Sequence, residues 1–223
     1  MIGKFIVIEG TDGVGKATQV ALLKDKLEAF GIQHQIIDFP RYQDNLYGKL
    51  IKSYLQGEIQ KYGGINPYLL TLAYAGDRAL AKDLIKSWLE KGNLVIANRY
   101  LHSNVAYSIA YLPGDIREEF MKWNYDLEYQ TNGIPKEELV ILLYADPEVA
   151  QKNIEKRGEK DINEKDLAYQ KKVAEAYLYL SKSQSHWVVI DCVKDGQMKS
   201  KDEIHQNILE VLKQKGVLDA KLS

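Results

Sequence analysis

Residues 10–16, Gly10-Thr11-Asp12-Gly13-Val14-Gly15-Lys16, are the part of this chain best suited to chemistry. Glycines at 10, 13 and 15 let the backbone curl until successive N–H groups converge on one anion, and Lys16 adds a mobile positive charge. The apolar run Phe5-Ile6-Val7-Ile8 precedes the loop and a helical pattern follows it, the context that turns a glycine-rich turn into a cradle for nucleotide phosphates. Gly10, Asp12, Gly13, Val14, Gly15, Lys16, Ala17 and Thr18 are therefore the expected contacts to a nucleoside triphosphate. The same signature asks for a hydroxyl directly after the lysine to hold Mg²⁺; that position is Ala17, with Thr18 one residue late. The departure touches metal handling and leaves phosphate binding intact.

Arginine is scarce, at 41, 78, 99, 117 and 157, so its positions carry information. Arg41 follows Phe39-Pro40 just past an expected second strand, and Arg99 follows an expected third. In a parallel α/β sheet, ligands bind beyond the carboxyl ends of the strands, where both would stand. A guanidinium pairs with phosphate oxygens in a bidentate way that lysine cannot match. Arg117, on an ordinary amphipathic pattern, reads as a surface ion-pair residue. A phosphoryl acceptor that is a hydroxyl needs a general base, whereas a phosphate acceptor is already anionic and needs cations. Arginines at the strand ends, with no Glu directly after the second or third strand, favour the phosphate.

The elements that must position these groups are legible as alternation. Apolar runs recur at 5–8, 35–39, 94–97, 139–144 and 187–190 with helical patterns between them, which predicts a parallel sheet covered by helices on both faces. Asn66-Pro67 caps a long helix expected to end near Gly92, and Asp115 to Glu118, Asp146-Pro147 and Ser200 to Glu203 mark further helix starts. Gly31, Gly57 and Gly216 read as helix stops. No repeat or Pro/Gly/Ser-rich linker divides the chain, so residues 1–223 read as one α/β domain. Residues 156–166 form a dense mixed-charge segment between two helices, either a solvated loop or, given the phosphate loop, a mobile lid.

Composition narrows the partners. Thirty basic residues against 31 acidic leave a net charge of −1, which argues against a nucleic-acid polymer or an anionic membrane. No apolar run approaches the roughly 20 residues of a membrane span, and Met1 to Lys4 leads straight into a strand, so a cytoplasmic protein is expected. The single cysteine, Cys192, reads as a packed or idle thiol, and the four histidines (34, 102, 186 and 205) are too scattered along the chain to suggest a metal cluster.

Taken together, Glu9 to Gln19 with its phosphate loop, Asp38-Phe39-Pro40-Arg41-Tyr42, Asp77-Arg78, Asn98-Arg99-Tyr100 with Ser103-Asn104-Val105-Ala106-Tyr107, and Asp161-Ile162-Asn163-Glu164 resemble thymidylate kinase, in that family's order and spacing. The resemblance spans residue 5 to about 180. It implies a P-loop kinase fold, five parallel strands with a lid at about 156–166, and transfer of a phosphoryl group from ATP to dTMP with Mg²⁺, in a homodimer. It also implies roles. Tyr74 would stack on thymine, with Arg78 and Asn104 at the base edge and Tyr107 under the deoxyribose. Phe39 and Pro40 would wall the pocket, Tyr42 and Arg99 would hold the acceptor phosphate with Arg41, Asn98 and Asp161 nearby, and Asp12 would lie between donor and acceptor. Lys16, Arg99 and Asp12 would be catalytic. Gly13 stands where some relatives carry an arginine, and the resemblance implies that members with glycine there place the basic residue in the lid, as Arg157 and Lys160 would here. The family usually has Asp-Arg after the third strand and Ser or Thr after the loop lysine; Asn98 and Ala17 depart from this, so Asp12 and Glu164 are the candidate metal anchors. These departures keep two other readings open: a kinase for another nucleotide or deoxynucleoside, and a nucleotide-binding protein without catalysis.

Overall fold

The computed structural model describes residues 2–59, 63, 65–158 and 160–220. Met1, ahead of the first strand, and Glu159, within the charged segment, lie outside the described residues. Five strands, β1 (Phe5–Glu9), β2 (His34–Asp38), β3 (Leu94–Asn98), β4 (Leu139–Tyr144) and β5 (Trp187–Asp191), form a parallel sheet in the order β2-β3-β1-β4-β5. Side chains on successive strand residues point to opposite faces, so each apolar run divides between two cores. Phe5, Val7, Val95, Ala97, Val140 and Leu142 enter one, and Ile6, Ile8, Ile96, Ile141 and Leu143 enter the other. That is why these runs are continuously apolar and not alternating.

Helices α1 (Lys16–Ala29) and α9 (Lys201–Gln214) cover the second face, together with α7 (Pro147–Arg157). The first face is covered by α3 (Pro67–Ala79), α4 (Lys82–Glu90), α5 (Leu101–Tyr111), α6 (Arg117–Tyr125) and α8 (Leu167–Lys182), while α2 (Leu46–Leu55) packs on α3. The start signals at Asn66-Pro67, Asp146-Pro147 and Ser200 to Glu203 are realised as side-chain caps, the last as a full capping box. Asp115 instead sits in a 3₁₀ turn, Gly114–Ile116, and α6 starts without a side-chain cap. Gly31, Gly57 and Gly216 each follow a helix end in the left-handed region.

The long helix expected from Asn66 to Gly92 is two helices, α3 and α4, broken at Leu80-Ala81. Ala79, Leu80 and Ala81 are good helix formers, so nothing local marks the break. Tertiary contacts do: Arg78 bonds to Glu128 and Lys82 to the Asn132 carbonyl, 3.1 Å away, both on a π-helical stretch, Asp126–Asn132. A small hairpin, β6 (Val193–Lys194) with β7 (Gln197–Met198), turns through Asp195-Gly196, a dipeptide suited to two successive positive φ angles.

Candidate active site

The loop between β1 and α1 has the backbone its glycines allow. Gly15 has φ +91°, and a Cβ on Gly13 would meet the Ala150 carbonyl oxygen at 2.4 Å, so α7 is seated where only glycine permits. Lys16 folds back to donate to the Thr11 carbonyl at 2.7 Å. Burial, and then the neighbouring Arg99 charge, lower its pKa to about 7. A triphosphate entering the loop would reverse that shift by supplying the missing negative charge.

Arg99 is the hub next to the loop. Its backbone lies at φ 66°, a conformation costing a non-glycine residue roughly 1–2 kcal/mol, and its guanidinium is fixed by several acceptors. It donates to the Gly10 carbonyl at 3.1 Å and Ser103 Oγ at 3.0 Å, and pairs with the Asp12 carboxylate. Tyr107 donates its hydroxyl to the other Asp12 oxygen at 2.5 Å. Burial alone would raise the Asp12 pKa, but Arg99, then Lys16 and the Tyr107 hydroxyl, hold it below the usual carboxylate range. Beneath them Glu9, fully buried, accepts from the backbone N–H of Tyr100 at 2.9 Å and of Ser103 at 3.1 Å, and from the hydroxyls of Ser103 at 2.5 Å and Tyr177 at 2.9 Å. This carboxylate ties the end of β1 to the start of α5 and so sets Arg99 against the loop.

From Arg99 a cavity of about 230 Å³ runs between α3, α5 and the charged segment. Asp12, Arg99 and Tyr42 line it together with Tyr74, Arg78 and Asn104, and Phe39, Pro40 and Tyr107 complete the lining. Burial keeps the Tyr42 phenol neutral, with its pKa near 12, and pushes those of Tyr74 and Tyr107 up as well. Asn104 Nδ2 is buried without a partner, a donor held ready for an acceptor in the cavity. Arginine charge, aromatic rings and an unpartnered amide in one cavity suit a phosphorylated base.

A sequence model of the family described as Thymidylate kinase matches residues 8–216. The chain belongs to the thymidylate kinase family. It is 36% identical over 212 residues to a probable thymidylate kinase of Methanocaldococcus jannaschii, covering 94% of this chain and 95% of that relative. It is 31% identical over 230 residues to the thymidylate kinase of Trichodesmium erythraeum, covering 96% and 97%. Among solved structures it resembles the thymidylate kinase of Candida albicans with a TM-score of 0.77 at 22% identity, over 96% of this chain and 93% of that one. The last likeness bears on the fold, the five-stranded parallel P-loop arrangement described above.

In this thymidylate kinase family member the cavity gathers Asp12, Phe39, Pro40, Tyr42, Tyr74, Arg78, Arg99, Asn104, Tyr107 and Asp161. Arg41 goes elsewhere: its backbone N–H donates to Asp77 Oδ2 at 2.8 Å, its Nε to Oδ1 at 3.0 Å and an Nη to the Asp77 carbonyl at 2.7 Å. It braces the Phe39-Pro40 turn, which contains a cis peptide bond, against α3. Asn98 also lies outside the cavity lining and donates to Asp38 at 2.7 Å. Arg78 lines the cavity, yet its Nε and one Nη are taken by Glu128. In the segment after α7, Arg157 and Glu164 form an ion pair and Lys160 lies 3.6 Å from Glu155. Glu164 also accepts from Asp161 N–H at 3.0 Å. Asp12 and Glu164, the two candidate metal anchors, are thus each engaged by an arginine. Burial, then Asp12, raises the Asp161 carboxyl to about 6.

Several contributors carry no signal in the chain alone. Tyr54, Tyr111 and Tyr169 line the cavity from three helices, but they are three among 15 tyrosines. Glu128 sits in the π-helical stretch, which no sequence period announces. Cys192 is buried, with its pKa pushed to about 12 by burial, which makes it unreactive. The expectation about histidines needs correction: His102 and His186, far apart in the chain, meet at Glu137 with ligating atoms all within 4.8 Å of one another. Sequence separation gave no warning, because parallel crossovers bring distant strand entrances together.

Proposed function

We propose that this chain transfers the γ-phosphoryl group of ATP to dTMP, yielding ADP and dTDP. The observation that carries the reading is the cavity leading from Arg99 at the phosphate loop to Tyr74, Arg78 and Asn104. Its arginines, aromatic rings and unpartnered Asn104 amide supply groups for a phosphate, a sugar and a base. The backbone N–H groups of the loop and Lys16 would hold the donor phosphates, while Arg99 and Tyr42 take the acceptor phosphate. That phosphate needs no general base, since it is already largely anionic near neutral pH. Arg99 must leave Asp12 to reach it, so acceptor binding exchanges one anion for another at the same guanidinium. Asn104 Nδ2 and Arg78 Nη1, which also reaches the Tyr100 carbonyl at 3.5 Å, would meet the base carbonyls, and Tyr107 would crowd the sugar 2′ position. Residues 156–166, with Arg157 and Lys160, are read as a lid on this single domain that would close over ATP and exclude water.

Magnesium fits the oxygen chemistry of the loop. Thr11 Oγ1 and Asn98 Oδ1 are buried near the ends of β1 and β3 without a partner, free to face the ion or its waters, and Asp12 would join them once Arg99 turns to phosphate. The ion would screen charge on the donor phosphates. A homodimer is supported by exposed Leu46, Tyr47 and Leu50 on α2 and Leu69 and Leu72 on α3, two helices packed together. Among the described residues no helix is long and apolar enough to cross a membrane. A cytoplasmic setting is supported by nucleotide substrates and a cysteine buried as a free thiol. ADP formation measured with dTMP, dUMP, dCMP, dGMP and UMP tests the function. Turnover with dTMP well above dCMP, dGMP and UMP is expected, with weaker discrimination against dUMP, which lacks only a methyl group worth about 1–3 kcal/mol; equal use of dCMP or UMP, or tight ATP binding without turnover, overturns it.

A further inference from the structure

Glu137 lies just before β4 and His186 just before β5, two strands paired side by side, and His102 reaches them from the first turn of α5. His102 is fully buried and its Nε2 hydrogen-bonds Glu137 Oε1. His186 Nε2 points at the same oxygen from 3.5 Å, is itself buried, and has no hydrogen-bond partner. We propose that His102, Glu137 and His186 form a binding site for a divalent transition-metal ion of the zinc type, separate from the nucleotide site.

The donor set decides the ion. Two imidazoles and one carboxylate suit zinc and its neighbours and do not suit magnesium, which prefers oxygen alone. Zinc bonds of about 2.0–2.1 Å at tetrahedral angles place ligand atoms roughly 3.3 Å apart. The His186 to Glu137 distance is already 3.5 Å, and the whole set falls within 4.8 Å. To reach that spacing His102 has to draw back from hydrogen-bond contact with Glu137, and the two histidines have to close on the ion. The Tyr129 hydroxyl donates to both Glu137 oxygens, at 3.1 and 3.0 Å, and so orients the carboxylate as an outer partner of a metal ligand does. Tyr125 and Trp187 flank the His102 ring with centroids 6.0 and 4.9 Å away, giving the site dry walls. The side chain of His186 is 30% exposed and supplies the way in, and the fourth position is left for water. An ion here would join the entrances of β4 and β5 to the helix carrying Ser103, Asn104 and Tyr107.

The test uses full-length protein, stripped with chelator and free of nucleotide, titrated with Co²⁺ and Zn²⁺. The expected result is about one Co²⁺ per chain with the visible absorption of a four-coordinate site, displaced by Zn²⁺. His186→Gln, at a partly exposed position that leaves the core intact, should weaken binding by at least about tenfold, while His34→Gln should not change it. Glu137→Gln should act like His186→Gln if it folds. Zinc should also raise the melting temperature of the parent chain and not that of His186→Gln. Absence of Co²⁺ binding to the parent chain, or equal binding by His186→Gln, overturns the site.

Discussion

Lys16 offers the sharpest test of the donor site, because its charge should change when the nucleotide arrives. In the ligand-free protein, burial and the Arg99 charge bring its pKa to about 7. At pH 8 such a lysine is roughly one-tenth protonated. Triphosphate in the loop would return it towards its ordinary value of 10.5, so binding at pH 8 should take up about 0.9 proton. The affinity for ATP should then fall about tenfold per pH unit between pH 8 and 9, above the range where the phosphates themselves titrate. Titration calorimetry in buffers of different ionisation enthalpy reads the uptake directly. Lys16→Arg, which stays charged throughout, should still bind ATP but lose both the uptake and the slope. The same shift acts on folding. The unfolded chain holds this proton more tightly than the folded one, so the stability of ligand-free protein should rise with pH from about 7 towards 10.5. Buffer-independent heats together with a flat affinity from pH 8 to 9 would refute the placement of Lys16 against the phosphates.

Other residues give independent checks. Glu9 accepts four hydrogen bonds in a fully buried position, so Glu9→Gln, which turns an amide NH₂ towards those donors, should cost about 1–3 kcal/mol in urea unfolding; a loss below about 0.5 kcal/mol would show the network to be dispensable. Tyr107→Ala should raise kcat/KM for UMP relative to dUMP while leaving the dTMP to dCMP ratio unchanged; a shifted base ratio would place Tyr107 at the base instead of the sugar. Asp12→Asn should raise the Mg²⁺ concentration for half-maximal rate, and Ala17→Ser should leave it equal or lower; an unmoved requirement in Asp12→Asn removes Asp12 from metal handling.

What the sequence by itself determined was whatever depends on neighbours along the chain. The strand, glycine loop and helix at 5–29 are local, and period-independent apolar runs located the five strands of the parallel sheet to within a residue at each end, but not the hairpin strands β6 and β7. Asp12, Phe39 to Tyr42 and Arg99 lie just past β1, β2 and β3, on the edge where a parallel sheet gathers its carboxyl ends, while Tyr74, Arg78 and Tyr107 reach the same cavity from α3 and α5. What only the tertiary structure decided was which partner each charged group finds. Arg41 and Arg99 look alike in the chain, two arginines after two strands. Yet Asp77 on α3 captures the first, and Asp12 with the phosphate-loop carbonyl captures the second. The break at Leu80-Ala81, the Arg78–Glu128 pair and the meeting of His102, Glu137 and His186 belong to the same class. Each depends on contacts between residues distant in sequence, which helix propensities, below about 1 kcal/mol per residue for ordinary residues, do not encode. Local preference placed the elements, and the long-range pairing of buried charges assigned the side chains.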